Sequence, residues 1–150
     1  MIATQKYSPY QMGLGRLVDA DKAPFIGRDA LARERARGPR RRIVGLEINW
    51  SDVEALYERE GLVPLAPAAA SRLPVPITHQ GLQVGRATTT AWSPMLKRLV
   101  ALATIDAPHC EPSTELRMEV TVEGVRRWAR AKVVPTPFFD PERKTLAPPA

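Results

Sequence analysis

The sequence predicts a mainly β protein with short helices, folded as a small antiparallel barrel, closed or partly closed. Runs with alternating apolar residues recur along the chain and suggest about five or six strands. Short turns separate them, so that successive strands can pair antiparallel. The 15 prolines among 150 residues favour many short elements and fixed corners over a helical bundle. Closure would also leave no strand edge exposed.

Residues 1–24 do not read as the opening of an independent domain. Ser8-Pro9 can start a short helix, and Met12, Leu14, Leu17 and Val18 supply apolar surface. Gly13 and Gly15 weaken any helix there by roughly 1 kcal/mol each. The segment therefore needs something to pack on, either this domain or a preceding one. A short surface helix is expected over residues 28–37, anchored by Leu31 and stopped by Gly38-Pro39. Residues 42–49 alternate as a strand with Val44, Leu46 and Ile48 facing the core.

Residues 50–61 carry the clearest helical signal. Ser51 reads as the N-cap, and Glu54 completes a capping box. Val53, Leu56 and Tyr57 share a face, and Gly61 ends the helix. Trp50 either staples onto the helix at Ala55 or stacks a planar ligand. Residues 62–73, rich in proline and alanine, read as an irregular connection.

Residues 74–106 form the central stretch. Gln80-Gly81 is a hairpin turn, and Gly85 marks a bulge or a close backbone approach. A break is expected at Trp92-Ser93-Pro94, with Ser93 capping one helical turn over 95–98. Residues 99–105 are almost wholly apolar, as in a strand buried on both faces. A loop follows over 107–114, then a strand over 115–123. Glu123-Gly124 turns the chain into a partner strand over 125–134 that carries Trp128. Residues 135–143 form a proline-fixed exit. The expected organisation is a leading segment at 1–24, a barrel domain at 25–143 with a helical insertion near 50–61, and a flexible tail at 144–150.

The net charge is +6, much of it in Arg33, Arg35, Arg37, Arg40, Arg41 and Arg42. This cluster either docks an acidic partner or polyanionic tail, or is a solvated face. No aromatic RNA-binding motif or helix-turn-helix pattern accompanies it, so nucleic acid is not expected. No apolar run approaches the ~20 residues of a membrane span, and no signal peptide is apparent. No membrane association is expected, and the setting expected is cytoplasmic. The single Cys110 excludes an internal disulfide. With only His79 and His109 as further soft ligands, it argues against a zinc site. His109-Cys110 reads as a loop pair, a metal pair or a reactive thiol. No catalytic nucleophile, base and orienter stand together, so a complete miniature enzyme is not expected.

Several segments carry a resemblance. SPYQMGLGRLVDADKAPFIGRDAL resembles the segment that follows the folate-binding core in the aminomethyltransferase (glycine cleavage T-protein) family. RRRIVGLEI, GLQVGRATTTAWSPMLKRLVALATID, EPSTELRMEV and VVPTPFFDPER resemble its C-terminal barrel domain, in the same order. The family includes the folate domains of dimethylglycine and sarcosine dehydrogenases and folate-dependent demethylases. The insertion between Asn49 and Leu73 is similar to those branches rather than to the glycine-cleavage enzyme. The resemblance implies a role in one-carbon transfer to tetrahydrofolate. It also implies that the catalytic aspartate and most folate contacts lie in domains outside this chain. A separate catalytic chain, or self-association, is then an expected partner. In the family the segment here occupied by Pro137, Phe138, Asp140 and Arg143 returns towards the folate. Arg143 would pair with a folate carboxylate, or else is simply exposed. Trp92 would border the pterin, or else packs at the barrel rim. The alternative function is a binding module that docks an acidic partner protein through Arg40, Arg41 and Arg42.

Overall fold

The computed structural model describes residues 6–19, 21–67, 69–141 and 144. Two helices and six strands are arranged as α1 (Arg28–Arg37), β1 (Arg41–Ile48), α2 (Trp50–Glu58), β2 (Val75–His79), β3 (Leu82–Ser93), β4 (Arg98–Asp106), β5 (Glu115–Val122) and β6 (Val125–Val134). Short 3-10 turns stand at Gly15–Leu17 and Ala107–His109. The strands close into an antiparallel barrel in the order β1-β4-β3-β2-β5-β6.

Three hairpins supply the local pairings. The β2–β3 and β5–β6 turns, Gln80-Gly81 and Glu123-Gly124, place both central residues at positive φ, as the twist of a tight two-residue hairpin requires. The β3–β4 connection differs from the expected break and helical turn. Strand β3 runs on through Trp92, which pairs with Leu99, and Ser93, which pairs with Arg98. Pro94 sits in the loop, where no ladder N–H is needed. Ser93 Oγ accepts the Leu96 N–H at 3.3 Å. It therefore braces a four-residue turn rather than a helix.

Gly85 shows both expected features. The β2–β3 register skips Val84, because Ile77 pairs with Gly85 and Thr78 with Gln83. A Cβ on Gly85 would also collide with the Thr104 carbonyl.

β1 seals the seam, pairing with β4 on one side and β6 on the other. Its inward residues Leu46 and Ile48 join Ile77, Ile105, Leu116 and Val133 in a core from which water is excluded. Full burial of each such side chain contributes about 1.5–3 kcal/mol. β4 alternates little, as expected for a strand covered on both faces; Leu99 to Ala101 and Ala103 to Ile105 are all buried.

α2 corrects the predicted cap. The cap is Asn49, whose side chain accepts the Asp52 N–H at 3.0 Å. Trp50 is consequently the first helical residue rather than a staple before the helix. The helix ends at Glu58, and Gly61 follows at positive φ. α1 has the expected bounds. Its most buried residue is Glu34, held by the Ser8 hydroxyl at 2.8 Å, while Leu31 is half-buried.

The leading segment touches the barrel at its start. Gln11 takes the Ile43 N–H at 3.0 Å, and Tyr7 meets Arg86. Met12, Leu14 and Leu17 stay exposed. At the other terminus Phe138 and Thr136 lie directly over Gly45, where any Cβ would meet them. No helix among the described residues is long and apolar enough to cross a membrane.

Candidate functional site

The first arginine of β1 stands opposite the last residue of β4, Asp106, in the register. The two form an ion pair across 65 residues of sequence, Arg41 Nε to Asp106 Oδ1 at 3.0 Å. They border a cavity of about 300 Å³ with Gln83, Gly85, Arg86 and Thr104. The missing Cβ at Gly85 lets β3 and β4 approach closely at this wall. Arg86 donates to the Tyr7 hydroxyl at 2.8 Å. That bond holds the Tyr7 phenol below its ordinary pKa, against the opposing effect of burial. This end of the barrel thus presents two guanidinium groups, each already engaged by one oxygen.

Arg41 and Arg42 are successive residues of β1 and point to opposite faces, while Arg40 precedes the strand. Arg41 is paired, whereas Arg40 and Arg42 are exposed. Trp92 lies near the opposite end of β3. Six residues separate it from Arg86, about 20 Å along a strand. Its ring packs on Trp50, centroids 4.8 Å apart and planes tilted by 57°. Both tryptophans singled out for ligand stacking are therefore engaged with each other, against the core. Arg143 lies outside the described residues.

Cys110 is buried. Its thiol lies 3.5 Å from the Ile105 carbonyl and 3.4 Å from that of Asp106, and burial pushes its pKa up. It lacks the low pKa of a reactive thiol. His109 instead packs on His79, ring centroids 4.8 Å apart. Among the described residues no three His, Cys, Asp or Glu side chains gather as a metal site would require.

Sequence reasoning missed the Tyr7–Arg86 bond, which spans 79 residues, because no local pattern announces it. It also missed a second basic cavity of about 500 Å³ between α2 and the β5–β6 hairpin. The alternation of β5 and β6, already apparent, could have assigned Arg117, Trp128 and Arg130 to a common outer face.

The family model of the glycine cleavage T-protein C-terminal barrel domain matches residues 41–140. The chain is 35% identical to an aminomethyltransferase of Symbiobacterium thermophilum over 143 residues, 94% of this chain and 32% of that protein. It is 31% identical to the aminomethyltransferase of Bacillus pumilus, over 91% of this chain and 32% of the relative. The crystal structure of the glycine cleavage system aminomethyltransferase T from Bartonella henselae superposes with a TM-score of 0.65 at 20% identity, covering 88% of this chain and 32% of that one. The chain thus spans about a third of the length of these relatives. With the match across all six strands of the closed barrel, the chain belongs to the glycine cleavage T-protein C-terminal barrel domain family.

Proposed function

We propose that this chain serves as the C-terminal barrel of a tetrahydrofolate-dependent aminomethyltransferase or demethylase-type system and is not catalytic alone. The observation that carries this reading is coverage: 94% of the chain aligns with 32% of an aminomethyltransferase. The remaining two thirds of such a protein, on this reading, supply the catalytic groups and the main folate contacts, on a separate chain or a preceding domain. The exposed Met12, Leu14 and Leu17 are suited to pack against that part, or within a homo-oligomer. A cytoplasmic setting and a one-carbon metabolic role belong to the same reading.

Tetrahydrofolate combines a flat pterin with an anionic glutamate tail. The cavity at Arg41 and Arg86 has the guanidinium donors that such carboxylates take, but among the described residues no aromatic side chain lines it. The residues present therefore fit the tail and not the ring. In the proposal Arg143 contributes to holding the tail, and Trp92 borders the ring only within the assembled enzyme.

Calorimetric titration of the chain with tetrahydrofolate under reducing conditions tests this. The expected result is no saturable binding until a protein carrying the missing two thirds is added. Micromolar binding by the chain alone, about −8 kcal/mol, would overturn the dependence on a partner.

A second reading rests on the exposure of Arg40 and Arg42, a docking surface for an acidic protein. Changing Arg40, Arg41 and Arg42 to Ala would then abolish a salt-sensitive association. Unchanged association would dismiss it.

A further inference from the structure

The groove between α2 and the β5–β6 hairpin lies at the opposite end of β1 from the Arg41 cavity and is built differently. Arg59, Arg117, Arg126, Arg127 and Arg130 line its roughly 500 Å³, with Asp52 as the lining carboxylate. Asp52 is committed to Arg130, Glu60 takes Arg127 at 3.0 Å, and Glu119 stands 3.8 Å from Arg126. Among the described residues Arg59 and Arg117 have no carboxylate partner.

The strand register makes this excess costly. Arg117 and Arg130 are direct cross-strand partners, and like charges so placed repel. Asp52 offsets one of the two. Arg127 adds a buried Nε that has no acceptor, and a buried donor without a partner is unfavourable. An anion in the groove would offset the repulsion between Arg117 and Arg130.

Trp128 adds a flat face. It lies on the outer side of the hairpin, two residues along from Arg130 and opposite Glu119, and is 39% exposed. The cation–π and aromatic pairs among the described residues do not include it. Trp128 and Arg117 also line a neighbouring cavity of about 370 Å³ with Thr78, Gln80 and Gly81. The two spaces flank the same pair of side chains, and their sizes suit a small ligand.

We propose that this groove binds a nucleoside phosphate, with the phosphates held by Arg117 and Arg59, and the base stacked on Trp128. Guanidinium forks match phosphate oxygens, and base–indole stacking is tolerant of base identity.

Titration of the whole chain with ADP, adenosine and inorganic phosphate, read by calorimetry and tryptophan fluorescence, tests the assignment. ADP should bind saturably and quench fluorescence, and adenosine should bind at least about tenfold more weakly, since the phosphates carry the charge-assisted bonds. Arg117→Ala should weaken ADP binding by about tenfold or more without lowering the melting temperature, because the change also relieves the repulsion with Arg130. Trp128→Ala should abolish the quench. No saturable ADP binding, equal binding by Arg117→Ala, or phosphate alone binding as tightly as ADP would overturn the proposal. So would a polyglutamate peptide that binds where ADP does not.

Discussion

Asp52 joins α2 to β6 by gripping Arg130 at three points. Its Oδ1 takes Nη2 at 2.6 Å, and its Oδ2 takes both Nε and the backbone N–H at 2.8 Å. Asn49 completes the join, donating its own N–H to the Arg130 carbonyl at 2.8 Å. The residue that caps α2 and the residue that clamps it thus grip the same position of β6.

This clamp predicts an acid-sensitive fold. Hydrogen bonds from Arg130 hold the Asp52 carboxyl below its ordinary pKa, outweighing its partial burial. A carboxyl depressed in the folded state stabilises at pH above its unfolded value, and that contribution disappears as pH falls through the folded value. Asp52→Asn should therefore be less stable than the parent at neutral pH, with the gap closing below about pH 4. Urea melts at neutral pH and about pH 3 measure it; an equal gap at both would refute the clamp.

Trp50 and Trp92 should be energetically coupled. A tilted aromatic pair contributes about 0.5–1.5 kcal/mol beyond its buried area. A double-mutant cycle with Trp50→Leu and Trp92→Leu should return a coupling in that range. Additive effects would mean the rings merely neighbour each other.

Gly85→Ala should destabilise by about 1–3 kcal/mol or more, since the new methyl meets backbone that cannot rotate away. The Thr104 carbonyl and the Ile105 Cα are its nearest backbone obstacles, and the Ile105 Cδ1 also stands in the way. Gly81→Ala tests a different cost, because no atom lies within 4 Å of its Cβ position and only the positive φ of 81° opposes it. Thermal melts of both variants separate steric collision from backbone strain.

The Tyr7 phenol should titrate upward when Arg86 is changed to Met, because the Arg86 hydrogen bond is the main cause of its lowered pKa. Ultraviolet titration reads the shift, and Tyr7→Phe assigns it. An unchanged titration curve would show that the leading segment does not hold Tyr7 on the barrel in solution.

The hairpins were legible because Gln80-Gly81 and Glu123-Gly124 encode their backbone geometry locally, and α1 because Gly38 stops it. The cap of α2 was misread for a physical reason. Asn49 and Ser51 both suit an N-cap, and only the tertiary clamp on Arg130 favours the earlier one. The turn after Trp92 was misread because Pro94 suggests a break, whereas a hairpin tolerates proline at its corner. A single turn over 95–98 is too short to be helical by itself. The family was legible from five segments in order. The two basic cavities were not, since each depends on strands distant in sequence meeting in register.

The position of β1 bears on how the barrel can be made. It leaves the ribosome before either neighbour, and its partners β4 and β6 begin at Arg98 and Val125. The hairpins can zip as they emerge, and β4 can take one edge of this strand, but its other edge stays open until β6 has emerged. The seam from Ile48↔Ala131 to Gly45↔Val134 is thus the last pairing synthesis can complete. A nascent chain halted before Val125 would carry β1 and β5 as open edges, the form in which strand exchange between copies competes with closure.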